Sequence, residues 1–171
     1  MKRLSVLRHA KSSWDDQSLD DFNRPLNDRG WKAARRLGRE LAERKMRFDL
    51  VLASMAARVR ETIDGLQENF DFAAPIKFEP SIYEASEATL LSLVRALPEE
   101  VGSALLVGHN PGLERLIGDL TSDGERGFRR RVAEGYPTAA LAIIDLPTER
   151  WTDVQLESGE IIELILPKEL D

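Results

Sequence analysis

The sequence predicts an α/β fold: a three-layer domain with a mostly parallel central sheet flanked by helices, and C-terminal antiparallel strands added to that sheet. Three observations carry this. Short apolar runs alternate with longer segments of helical spacing, the pattern of strand–helix–strand units in a parallel sheet. Two of those runs end in the chain's only two histidines, His9 and His109, and open α/β sheets gather functional groups at the carboxyl ends of their strands. Beyond Gly135 the alternation stops, and apolar runs follow one another across turn residues.

Taken in order, residues 3–7 read as a short buried strand that delivers Arg8 and His9 at its end. Residues 11–26 form a long polar connection, unusual in a compact domain and so a candidate functional loop. A helix follows over about residues 27–45, with Asn27 as N-cap and Leu37 and Leu41 sharing a face with Ala33 and Ala34. Residues 49–53 read as the second strand and 57–70 as the second helix, with Ser54 available as its cap. Residues 76–78 form a third strand, and a helix over 87–97 stops at Pro98. Residues 103–107 form the fourth strand, ending at Gly108-His109. The next helix starts at Pro111, which suits a first helical position, and carries Leu113, Leu116, Ile117 and Leu120. Residues 139–146, 151–156 and 161–166 read as three closing strands. No linker composition separates them from the rest, so one domain is expected over residues 1–171.

Composition narrows the function classes. A hydrophobic fraction of 42% is too high for a disordered chain and ordinary for a globular one. No apolar run approaches a membrane span, the N-terminal run is too short for a signal peptide, and no cysteine is present. A cytoplasmic protein without disulfides or thiolate metal sites is therefore expected. The net charge of -6 argues against nucleic-acid binding and makes a local cluster of arginines more informative.

Four segments carry that cluster. In Arg8-His9-Ala10-Lys11, a neutral imidazole can act as a nucleophile, and the adjacent guanidinium both disfavours imidazolium and can fork onto an oxyanion. In Gly108-His109-Asn110-Pro111-Gly112, a glycine permits close approach and a helix N-terminus favours an anion, while Asn110 could serve simply as its cap. In the segment from Ser54 to Thr62, Arg58 enters the helix near the sheet's carboxyl edge, whereas Arg60 reads as a solvated surface residue. A basic residue there opposes the helix dipole, so it calls for another reason to be present. In Arg24-Pro25-Leu26-Asn27, Arg24 is extended before a proline and could reach back over the site, and Asn27 could both cap its helix and donate to a ligand.

Together these segments resemble the histidine phosphatase superfamily, and within it the small branch typified by the phosphohistidine phosphatase SixA. The family's Arg-His motif after the first strand corresponds to Arg8 and His9. Its Ser-x-x-x-Arg-x-x-x-Thr segment corresponds to Ser54, Arg58 and Thr62. Its second histidine corresponds to His109, and its Arg-Pro-Leu-(Thr/Asn)-x-x-Gly pattern to Arg24, Pro25, Leu26, Asn27 and Gly30. The turn at Tyr136-Pro137-Thr138 and the strands after it also look like this branch.

The resemblance implies that His9 attacks phosphorus in line and forms a phosphohistidine that water hydrolyses, with Arg8, Arg58 and His109 holding the equatorial oxygens. It implies no cofactor and no metal. Lys11, Arg24, Asn27 and Asn110 would contribute to substrate binding. Lys11 stands where the wider family has Glu or Gln, and either favours a more anionic substrate or is a solvated loop lysine. Glu84 lies where relatives acting on esters carry a general acid, and could equally be an exposed carboxylate or a cap for the helix near Glu87. The implied substrate is the phosphohistidine of a signalling protein, because the chain lacks the insertions with which larger relatives enclose small sugar phosphates. A small phosphomonoester and a non-catalytic phosphate-binding module are the alternatives.

Overall fold

The computed structural model describes residues 1–170. Six strands form one sheet: β1 (Lys2–Arg8), β2 (Leu50–Ala53), β3 (Ile76–Phe78), β4 (Ser103–Gly108), β5 (Leu141–Leu146) and β6 (Glu160–Ile165). Their order is β3-β2-β4-β1-β5-β6. The four strands on the β3 side run parallel, whereas β5 is antiparallel to β1 and β6 to β5. β1 and β4 are adjacent, with Arg8 opposite Gly108. The two histidines therefore leave the same edge of the sheet from neighbouring strands.

The central strands are apolar on both faces because both faces are covered. On one side, α1 (Asp28–Glu43) and α2 (Ala57–Gln67) bury Leu37, Leu41, Val59, Ile63 and Leu66 against Val51, Leu105 and Val107. On the other, α3 (Glu87–Arg95), α4 (Gly112–Leu120) and α5 (Phe128–Glu134) cover Leu4, Val6 and Leu106 with Leu90, Leu113, Leu116 and Val132. Asn27 caps α1 by accepting the Gly30 amide at 2.8 Å, as its side chain predicts. Close approach requires glycine at positions 30 and 112, among others. A Cβ on Gly30 would lie 2.1 Å from the Lys11 carbonyl oxygen, and one on Gly112 would lie 2.4 Å from that of Ala85.

Two expectations are corrected and one helix is added. Residues 151–156 are not a strand: Trp151–Asp153 is a single 3-10 turn. The Trp151 ring is fully buried and its Nε1–H donates to the Val101 carbonyl at 2.7 Å, so packing, not sheet pairing, consumes the apolar side chains there. Helix α5 was not foreseen, because Phe128-Arg129-Arg130-Arg131-Val132 offers too few apolar residues to set a period. Ser54 does not cap α2, which has no side-chain cap and begins after Ala56.

Candidate active site

The carboxyl ends of β1 and β4 place the His9 and His109 rings 5.3 Å apart. His9 Nδ1 lies 2.7 Å from the carbonyl oxygen of Ala10. A carbonyl only accepts, so Nδ1 carries the proton and Nε2 keeps its lone pair. The Ala10 peptide is itself held, since its N–H donates to Thr62 Oγ1 at 2.9 Å and that hydroxyl donates to the Arg58 carbonyl at 2.6 Å. Burial, helped by the nearby Arg58, Arg8 and Arg24 charges, pushes the His9 pKa down to about 4, against a favourable hydrogen bond to Ala10. His9 is thus neutral, oriented, and free at one nitrogen.

His109 is set by Ser54, whose Oγ lies 2.7 Å from Nε2. Ser54 Oγ also accepts the Ala56 amide at 3.2 Å. When the hydroxyl donates its proton to Nε2, His109 carries its own proton on Nδ1, the buried nitrogen without a protein partner. In that tautomer the Nδ1–H has no protein acceptor. Burial first, and then Arg58, hold the His109 pKa down at about 3. The Ser-x-x-x-Arg-x-x-x-Thr spacing thus serves both histidines, one from each end of the helix's opening turns.

Arg58, in the first turn of α2, is buried, and its guanidinium is gripped by Asp21. Nη1 donates to the Asp21 carbonyl at 2.7 Å and Nη2 to its carboxylate at 3.0 Å. The same carboxylate accepts Arg24 Nε at 3.1 Å and the Tyr83 hydroxyl at 2.5 Å. These bonds, led by that from Tyr83, lower the Asp21 pKa to about 2. Sequence reasoning gave no role to Asp21 or Tyr83. The available signal was that buried arginines need acceptors, and Asp21 lies three residues before Arg24.

Arg8 donates through Nη1 to the Tyr136 carbonyl at 3.0 Å, and its Nε is buried without a partner. Arg8, His9, Lys11, Arg24, Arg58 and His109 line one cavity of about 600 Å³, with Asn27 and Asn110 on its wall. Lys11 is exposed there. Asn27 has its oxygen on the α1 cap, and Asn110 links α4 to the Tyr136 carbonyl, donating to it at 2.9 Å and accepting the Glu114 amide at 3.2 Å. Arg24 donates to Ser12 Oγ at 2.8 Å and to the Ser13 carbonyl at 3.1 Å, pinning the 11–26 loop. Glu84 is exposed outside this cavity, in an adjoining one of about 450 Å³ that shares Arg58 and His109. Its backbone is left-handed, with φ at 58°.

The site's protonation has a consequence for stability. Both histidines titrate below the ~6.5 of a free imidazole, so the unfolded chain binds more protons as pH falls below that value. Stability is complete above pH ~6.5 and falls on acidification toward pH 3–4, by up to about 1.4 kcal/mol per pH unit for each histidine. Urea midpoints measured from pH 7.5 to 4.5 should decline accordingly, and replacing both histidines by asparagine should flatten the decline. A wild-type midpoint constant across that range would contradict two neutral, buried imidazoles.

Known proteins share this fold. The model of the histidine phosphatase superfamily (branch 1) matches residues 4–103. The structure of an Agrobacterium tumefaciens protein designated phosphohistidine phosphatase SixA superposes with a TM-score of 0.81, at 34% identity over 97% of this chain and 98% of that one. The protein histidine phosphatase SixA complexed with tungstate shares the fold, with a TM-score of 0.80 at 20% identity over 99% of both chains. An uncharacterised Mycobacterium leprae protein is 29% identical over 166 residues, 95% of this chain and all of that one. With its paired strand-end histidines and the arginines around them, the chain belongs to the histidine phosphatase superfamily, in its SixA-type branch.

Proposed function

We propose that this protein is a metal-independent phosphatase that works through a phosphohistidine on His9, and that it removes phosphate from phosphohistidine of a signalling protein. The observation that carries the reading is the state of His9: buried, neutral, with Nδ1–H fixed on Ala10 and Nε2 free beside two arginines and a second imidazole. A nucleophile of that kind attacks phosphorus in line while Arg8, Arg58 and the His109 Nδ1–H neutralise the equatorial oxygens. The bond from phosphorus to the leaving atom breaks as the bond to Nε2 forms, and water later cleaves the P–N bond and regenerates the imidazole. Lys11 and Arg24 add positive charge at the mouth, and Asn27 and Asn110 hold the walls that carry it.

Glu84 is proposed as the proton donor for substrates whose leaving group is an alkoxide. It shares a cavity with Arg58 and His109, although its carboxylate is exposed. A phosphoimidazole protonated on its distal ring nitrogen releases neutral imidazole as the P–N bond breaks, and demands less of that acid. No three His, Cys, Asp or Glu side chains converge among the described residues, and no helix there is long and apolar enough to cross a membrane.

The test compares kcat/KM for a phosphohistidine protein with that for small phosphomonoesters, with and without chelator. The reading expects the phosphoprotein to be preferred, chelation to change nothing, and Glu84→Gln to slow alkyl ester hydrolysis selectively. Activity lost on chelation and restored by a divalent ion would end the metal-free mechanism. A small ester turned over far faster than the phosphoprotein would move the assignment to that substrate class.

A further inference from the structure

We propose that Trp14, stacked on Arg24, forms a leaving-group subsite that holds a planar aromatic ring bearing the phosphoryl group. Trp14 is 71% exposed, among the most exposed large apolar residues of the chain, yet its position is built. The Arg24 guanidinium carbon lies 3.5 Å from the centre of its ring, the separation of a face-on stack. Arg24 is only 7% exposed and is tied by the bonds to Asp21, Ser12 and Ser13 described above. The loop is further closed at its base, where Ser12 pairs with Leu26 and Ser13 N donates to the Pro25 carbonyl at 2.8 Å. One face of the indole is therefore held and the opposite face is presented to solvent.

Trp14 itself lines the cavity that has His9 in its wall. His9 is 7% exposed, so it is deep, and Trp14 is at the rim. In-line attack by Nε2 directs the leaving group away from His9, outward toward the mouth. The group that departs thus emerges where the indole waits. A flat ring gains most from such a platform, through offset stacking and the apolar area it covers. A pinned indole also loses little conformational freedom when the ligand arrives. The chemistry is that of an imidazole or aryl ring attached to phosphorus, and it is shared by a protein-borne phosphohistidine and a free aryl phosphate. This inference rests on the phosphatase reading for the direction of departure, and its test does not need turnover.

Calorimetric binding of benzylphosphonate, cyclohexylmethylphosphonate and methylphosphonate to wild type, Trp14→Ala and Trp14→Phe decides it. Wild type should prefer benzyl over methyl by about five- to tenfold, and over the puckered cyclohexylmethyl ring by a smaller factor. Trp14→Ala should erase the benzyl preference while leaving methylphosphonate affinity within twofold, and Trp14→Phe should restore part of it. Equal weakening of all three ligands in Trp14→Ala would mean that Trp14 only braces the loop. Unchanged preference in Trp14→Ala, or cyclohexylmethyl binding as tightly as benzyl in wild type, would also overturn the subsite. Kinetics then separate the sources: a Trp14→Ala loss in kcat/KM for a phosphohistidine peptide alone assigns the ring to protein substrates, and a loss for phenyl phosphate alone assigns it to free aryl phosphates. A wild type that binds benzylphosphonate preferentially but turns over nothing would defeat the phosphatase reading and leave the subsite standing.

Discussion

Replacing His9 by alanine will abolish the phosphoryl-enzyme and lower turnover of an activated aryl phosphate by at least on the order of 10³-fold, the scale on which covalent nucleophiles matter. The reason is geometric before it is electronic. Of the two imidazoles in the site, only His9 has one nitrogen held by a backbone carbonyl and the other free toward the cavity. His109 has Nε2 on Ser54, and its remaining nitrogen is buried without a protein partner. Depression of the His9 pKa to about 4 also keeps essentially all of it neutral at pH 7, so no proton must be removed before attack. Rapid quench and intact-mass analysis should find one acid-labile phosphoryl group on wild type and none on His9→Ala. Label on His109, or a His9→Ala variant within tenfold of wild type, would invert the assignment of the two histidines.

Arg58→Ala should lower kcat/KM by at least 10²–10³-fold, the typical loss on removing a preorganised donor to a developing oxyanion. Here the loss has a second source. Asp21 places its carboxylate against Arg58 at 3.0 Å, and without the guanidinium that negative charge faces an incoming phosphate with less compensation. Arg58→Lys should recover only part of the activity, because an ammonium cannot meet both Asp21 oxygens and a phosphate oxygen in one plane. Asp21→Asn keeps an acceptor while removing the charge, and should cost roughly tenfold, mainly in kcat, by loosening a donor it positions. Steady-state kinetics with inhibition by inorganic phosphate distinguish these outcomes. An Arg58→Ala enzyme with unchanged kcat/KM would remove this arginine from the charge-neutralising set.

The sequence was legible wherever one residue's type and its immediate spacing decide its role. Apolar runs ending in His9 and His109 marked strand ends, and the strands are where those runs stand. Asn27 marked the start of α1 as its N-cap. Reading failed where role depends on a partner distant in the chain. Ser54 is a cap by local rules, yet its hydroxyl is drawn to His109, 55 residues away. Trp151, Thr152 and Val154 are strand-forming residue types, but the indole fills the space beside Val101, 50 residues earlier.

By itself, then, the sequence determined the layer order of the chain, the parallel sheet with its antiparallel addition, and the two strand ends at which an imidazole and a guanidinium would appear. Periodicity and turn chemistry are local, and they survive in one dimension. The tertiary structure alone decided that β1 and β4 are neighbours, which nitrogen of each histidine is free, that Asp21 grips Arg58, and that Trp14 lies on Arg24. Those outcomes follow from burial. A guanidinium or imidazole removed from water must find hydrogen-bond partners wherever the fold supplies them, and sequence separation sets no limit on which residue answers.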